Sequence, residues 1–314
     1  MASCVYLGDA LAQYSLGENH PFGSARYYAF AGELAVRGLQ RQVTICSPVQ
    51  ATREQIALFH TPEYIERVQA LSETGEGSLD YGDTPAFIGM YEAAATVVGT
   101  TLAAVDRVMD ASCSSAFVPI AGLHHGRRDA AAGFCIFNDC GVAIEYLRRR
   151  YGIRKIGYVD IDAHHGDGIY YGFEDDPDLY IADIHEDGRF LYPGTGRSDE
   201  TGRGSAMGSK LNLPMAMDAG DSEFELAWRQ ALAFIEAAAP EFILFQCGAD
   251  SLADDPLTHL RYTARSHAKA AADLQSLAGR CAGGRIVALG GGGYNLRNVA
   301  DAWCGVVAAL NQQP

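Results

Sequence analysis

Two periodicities alternate along the 314-residue chain. Short apolar, β-branched runs stand at 43–46, 116–120, 155–159, 179–184, 242–246 and 286–289, the pattern of strands covered on both faces. Between them, apolar residues recur at helical spacing over 23–37, an Ala-rich 85–108, 138–150, 222–238, 258–278 and 296–310. Strand–helix alternation predicts an α/β fold: a three-layer α/β/α domain with a mainly parallel central sheet. No internal repeat, low-complexity linker or compositional break divides the chain, so a single domain is expected over 1–314. The turn-rich stretches 74–85 and 192–209 are long enough to be functional loops.

Composition narrows the class. At 48% hydrophobic and 20% charged, the chain is globular rather than disordered. Asp and Glu number 39 against 24 Lys and Arg, a formal charge of −15, and Lys155, Lys210 and Lys269 are the only lysines. The basic footprint of a nucleic-acid binder is missing, and no stretch is apolar for the length of a membrane span. Neither nucleic acid nor membrane is therefore expected as a partner. The eight cysteines are scattered without a C-x-x-C pair, which predicts free buried thiols and a cytoplasmic protein.

In open parallel sheets ligands bind beyond the carboxyl ends of the strands. Four of the expected strands end in reactive residues. The strand at 116–120 runs into Gly122-Leu123-His124-His125-Gly126, and that at 155–159 into Asp160-Ile161-Asp162-Ala163-His164-His165-Gly166-Asp167-Gly168. The strand at 242–246 leads to Cys247-Gly248-Ala249-Asp250, and that at 286–289 to Gly290-Gly291-Gly292-Gly293-Tyr294-Asn295. A parallel sheet would place all four on one rim.

Asp162 and His164, two apart at a strand end, project to the same side and can share an ion. With Asp250 as a third ligand, two carboxylates and an imidazole make the donor set of a catalytic zinc site that keeps a position open for water. A lone D-x-H is more often a cap or loop pair. Here, however, Asp160, Asp162 and Asp167 crowd beside an apolar strand and Asp183 ends a neighbouring one, and carboxylates buried there need cations or imidazolium close by. The pairs His124-His125 and His164-His165 suggest Asp–His dyads, in which the carboxylate fixes the ring's tautomer. His165, next to a ligand position, is expected to point away.

Taken in order, GLHHGRRDAAAGFCIFNDCGVAI, GYVDIDAHHGDG, FLYPGTG, FQCGADSLADDPL and ALGGGGYN resemble the zinc-dependent histone deacetylases and their bacterial acetoin-utilisation and acetylpolyamine amidohydrolase relatives. The resemblance runs from HPFGSAR at 20–26, through FHTPEYIERV at 59–68, to Tyr294 and Asn295, and implies an arginase/deacetylase-like fold. It implies zinc at Asp162, His164 and Asp250, with ferrous iron as the other candidate. It makes His124 and His125 the catalytic histidine pair, Asp160 and Asp167 their carboxylate partners, and Tyr294 the catalytic tyrosine. Phe134 and Tyr192 match the aromatic walls of a tunnel for an acyl-lysine chain, the usual second wall being Phe, and Gly133 and Gly292 join them as substrate-binding positions. Asp83 matches a rim aspartate that takes peptide N–H groups, and Arg26 an arginine of an internal acetate channel. A structural potassium ion is implied at Asp160, Asp162, His164, Asp183 and Ile184, where Asp183 stands in place of the family's usual Ser.

The implied reaction is hydrolysis of an acyl-lysine amide, in a protein or peptide, to a carboxylate and a free amine. A small cationic acyl-amine such as an acetylpolyamine is the alternative substrate, and it suits the acidic composition. Against it, the polyamine-specific members of the family carry longer entrance loops than the compact 74–85. An arginase-like hydrolase would need two metal ions but neither the histidine pair nor Tyr294. A non-catalytic acyl-lysine binding protein would have no use for the full set.

Overall fold

The structure, a computed structural model, describes residues 2–17 and 19–312. Its strands are β1 (Cys4–Tyr6), β2 (Thr44–Cys46), β3 (Ala116–Val118), β4 (Ile156–Asp160), β5 (Leu179–Glu186), β6 (Lys210–Met215), β7 (Phe242–Gln246) and β8 (Ile286–Leu289). They form one sheet in the order β2-β1-β3-β8-β7-β4-β5-β6, and every neighbouring pair is parallel. The six strands expected from the hydrophobic pattern are present. β1 and β6 were not among them; β6, KLNLPM, hides its alternation behind Pro214, which an edge strand tolerates.

The helices are α1 (Asp9–Ala12), α2 (Ala25–Val36), α3 (Arg53–Ile56), α4 (Pro62–Thr74), α5 (Met90–Met109), α6 (Asp139–Tyr151), α7 (Asp167–Gly172), α8 (Asp221–Ala238), α9 (Ala264–Cys281) and α10 (Leu296–Leu310). On one side α2, α10, α9 and α8 pack in succession, with α9 against β7 and β8 and α8 against β5. α5 covers β3 and β8, flanked by α4 and α6. Two helices start later than their periodicity suggests. Residues 78–85 close on themselves through a Ser78–Pro85 bridge, so α5 begins at Met90, and bridges from Arg261 to Gly220 and from Tyr262 to Leu252 hold the approach to α9 extended. α4, capped by the Thr61 side chain with Pro62 in its first turn, was not among the expected helices.

Chain order decides where the site lies. From β3 the chain passes to β4 and leaves a gap that β7 and β8 fill later, so β3, β8, β7 and β4 are consecutive in the sheet. These are the four strands that end in reactive segments. Elsewhere, Cys4 of β1 and Cys113, ahead of β3, form a disulfide, which corrects the expectation of free thiols throughout; the pairing of β1 with β3 brings together cysteines 109 residues apart. Cys46, Cys135, Cys140, Cys247, Cys281 and Cys304 are free.

Candidate active site

The start of α6 holds the histidine pair in place. Buried Asp139 accepts the N–H groups of Gly122 and Leu123 and the Thr101 hydroxyl, at 2.8 to 3.1 Å. Asn138 caps α6 by accepting from Gly141 N–H, while its amide donates to the carbonyls of His124 (3.2 Å) and Gly126 (2.8 Å). Helix cap and histidine loop are thus one hydrogen-bonded unit.

Both histidines are buried, and each meets a carboxylate through Nδ1: His124 with Asp160 at 2.8 Å and His125 with Asp167 at 2.7 Å. Their Nε2 atoms face each other at 3.1 Å. One of the two must donate. Burial opposes charge on His124, but Asp160 and Asp162 outweigh it and push its pKa up to about 10. Burial and the neighbouring His124 push His125 down to about 4. The consistent arrangement has imidazolium His124 donating to neutral His125, whose Nδ1–H donates to Asp167.

Asp162, His164 and Asp250 converge next to this pair, with one potential ligand atom from each inside a 4.8 Å cluster. One oxygen of each carboxylate is already held: Asp162 Oδ2 accepts from Gln246 Nε2 (2.9 Å) and Gly292 N–H (2.8 Å), and Asp250 Oδ1 from Ala163 N–H (2.9 Å). The other oxygens, Asp162 Oδ1 and Asp250 Oδ2, both stand 3.1 Å from His164 Nδ1. Burial opposes a charge on His164, but these two carboxylates push its pKa up to about 10. Burial and repulsion from Asp162 push Asp250 up to about 7. Two buried acids aimed at one nitrogen is an arrangement that a divalent cation relieves, and the carboxylate–imidazole donor set fits zinc or ferrous iron. Glycines make the room, since a Cβ on Gly248 would fall 2.0 Å from Asp162 Oδ2 and one on Gly292 2.2 Å from Asp250 Oδ2.

A cavity of about 210 Å³ opens onto these residues, lined by Asp83, His125, Gly133, Phe134, His164, Leu191, Tyr192, Leu257 and Tyr294. The Tyr192 ring stands edge-on to His125 (5.2 Å) and to His164 (6.4 Å), and the Phe134 ring edge-on to Tyr294 (5.9 Å). Gly133 has φ +52°, and a Cβ there would lie 2.4 Å from the His125 ring, so both backbone and space demand glycine. Gly292, also expected on the substrate side, donates its N–H to Asp162 Oδ2 (2.8 Å) and so lies directly behind the carboxylates. Asp83 is exposed at the mouth, and its carbonyl faces the His20 ring at 3.1 Å.

Arg26 is buried behind Tyr294, its guanidinium 5.6 Å from that ring and bonded to the carbonyls of Gly291 and Gly293. Its Nη1 has no partner among the described residues. Asp183 and Ile184 are buried in β5. The Asp183 carboxylate accepts from Gly166 N–H (2.9 Å) and meets His185 Nδ1 (2.7 Å), while His185 Nε2 faces the Gly196 carbonyl (2.9 Å). With acceptors at both nitrogens, His185 is an imidazolium. His165 turns to Thr195, away from the triad.

Several supporting residues escaped sequence reasoning. Arg127 donates to Asp167 Oδ2 at 3.3 Å although its own side chain is 60% exposed. The Tyr14 hydroxyl donates to the Phe134 carbonyl (2.7 Å) and accepts from Ile136 N–H (2.8 Å), holding Phe134 at φ +69°. Asn138, Asp139 and Asp255 act through backbone groups and Gln246 through the Asp162 carboxylate, contacts that no spacing rule reveals; among these residues only the N-D pair ahead of a helical run was a visible signal.

A family model described as Histone deacetylase domain matches residues 20–310. The chain is similar to the acetoin utilization protein AcuC of Bacillus subtilis (strain 168), 40% identical over 299 residues that cover 92% of this chain and 77% of that protein. It is 33% identical to AcuC of Staphylococcus xylosus, over 99% of this chain and 83% of the relative. Among solved structures, the crystal structure of the HDA15 HD domain superposes with a TM-score of 0.91 at 26% identity, covering 99% of this chain and 89% of that one. Fold and similarity together define a deacetylase-type amide hydrolase. The chain belongs to the histone deacetylase family, in which zinc dependence is typical.

Proposed function

We propose that the protein removes acetyl or another short acyl group from lysine side chains of a protein or peptide, with zinc held by Asp162, His164 and Asp250. The observation that carries this reading is the meeting, around one small cavity, of a histidine oriented by Asp167, a tyrosine and a buried Asp–His–Asp triad. A bound zinc ion would polarise the amide carbonyl and lower the pKa of a water molecule. Around it, His125 is neutral and oriented by Asp167, so it can take a proton from water and return it to the leaving amine. His124, charged and paired with Asp160, stabilises the negative charge that develops. Tyr294, whose pKa burial raises well above the usual phenol value, keeps its proton and donates a hydrogen bond to the oxyanion. Phe134 and Tyr192 exclude water along the acyl-lysine stem, while Asp83 at the mouth can receive backbone N–H groups.

Arg26, buried with an unpartnered Nη1, offers a positive charge to the departing carboxylate. A potassium ion at Asp160, Asp162, His164, Asp183 and Ile184 would share Asp183 with the His185 imidazolium, which supplies part of the positive charge itself. The second substrate reading, a small cationic acyl-amine, is favoured only by the formal charge of −15. Turnover of acetyl-, butyryl- and longer acyl-lysine peptides beside acetylputrescine, each with and without chelator, tests the choice. Chelator-sensitive hydrolysis of the acetyl-lysine peptide with higher kcat/KM than acetylputrescine supports the proposal, and the reverse order overturns it.

A further inference from the structure

Asp255 has no part in the hydrolysis proposed above, yet its carboxylate reaches two walls of the cavity. It is 7% exposed. Its Oδ2 accepts the N–H groups of Tyr294 (2.8 Å) and Asn295 (3.3 Å), and its Oδ1 that of Leu257 (3.0 Å). Tyr294 and Leu257 both line the cavity. The turn that presents the carboxylate is unusual, since Asp254 has φ +68°, a left-handed backbone uncommon outside glycine and asparagine.

The loop after β7, which carries Asp250, and the loop after β8, which carries Tyr294, are joined independently of Asp255. Ala249 N–H donates to the Gly292 carbonyl (2.9 Å), the Asn295 amide to the Asp254 carbonyl (3.1 Å) and the Asn298 amide to the Ala253 carbonyl (2.8 Å). What Asp255 alone holds is the backbone of Tyr294 itself and of Leu257. We infer that Asp255 is a positioning residue for the hydrolytic reaction, its carboxylate setting where the Tyr294 hydroxyl stands over the metal site. This rests on the reading of Tyr294 as the oxyanion donor.

A carboxylate suits the task because both of its oxygens accept. An asparagine would turn an NH₂ toward one of these N–H groups and lose that contact. The test is a cycle of Asp255→Asn, Tyr294→Phe and the double variant on an acetyl-lysine peptide, with kcat, KM and bound metal measured for each protein. We expect Asp255→Asn to lower kcat about tenfold or more, with KM changed less than about threefold and metal content kept. In the Tyr294→Phe background it should cost less than about threefold, because the group it positions is already gone.

Multiplicative effects of the two substitutions, or metal lost in proportion to kcat, would overturn the inference. Asp255→Ala, which leaves space for water at the three N–H groups, serves as the second variant. If neither folds, the inference is also overturned, because the carboxylate then supports the fold and not the tyrosine. Tyr294→Phe with unchanged kcat would refute the oxyanion role and this inference together, whereas a slow Tyr294→Phe beside an unimpaired Asp255→Asn would remove the inference alone.

Discussion

His125 Nδ1 lies 2.7 Å from Asp167 Oδ1, and Asp167 in turn begins α7, so the ring we propose as the proton carrier takes its orientation from a helix start rather than from a loop. The second oxygen of Asp167 is tied to Arg127, which leaves the carboxylate one productive direction.

Asp167→Asn should therefore lower kcat by about 10²-fold or more, since an amide no longer fixes which ring nitrogen carries the proton. KM and bound metal should stay within about twofold. Steady-state kinetics with metal analysis checks this, and an unchanged kcat would remove Asp167 from the account.

Gly248→Ala probes the triad without replacing any of its three residues. Its Cβ would fall 2.0 Å from Asp162 Oδ2, so Asp162 must move off the position that Gln246 and Gly292 secure. The variant should fold, with most of its metal and activity lost. Full metal occupancy would show that Asp162 is not confined as described.

Stability should fall in acid for reasons outside the triad. Burial pushes His60 down to about 3 and His267 down to about 4. The His60 ring accepts Asn138 N–H at 2.9 Å and so stays neutral in the fold. In the unfolded chain both histidines take a proton below about pH 6.5, so the unfolded state binds more protons. The stability these residues contribute is complete above that pH and declines as pH falls from about 6.5 toward 4, at up to about 1.4 kcal/mol per pH unit for each. Chemical denaturation across this range should show the slope, and His60→Gln should reduce it by about one proton.

The fold was legible where strands are apolar on both faces, as in IGYVD of β4 and FILFQ of β7, because a fully buried parallel strand leaves an unbroken apolar run. It was illegible in the edge strand β6, which mixes buried and half-exposed positions around Pro214, while β1 went unread although it is as long as β2 and β3. The site followed the same division. His124, Asp162 and Asp250 are side chains whose chemistry marks them at strand ends. Asp255, Tyr14 and Asp139 act on N–H and C=O groups of residues far along the chain, so only the folded geometry discloses them. Strand order was hidden too: nothing local reveals that β7 and β8 return between β3 and β4.

In the proposed reaction a metal held by Asp162, His164 and Asp250 drives amide hydrolysis. The most direct measurement pairs metal content with hydrolysis of an acetyl-lysine peptide, in protein as purified, after chelation, after zinc is restored, and in Asp250→Ala. The account predicts about one zinc ion per chain, activity lost on chelation and recovered with zinc, and neither metal nor activity in the variant. Undiminished hydrolysis by metal-free protein, or full zinc retention by Asp250→Ala, would contradict it.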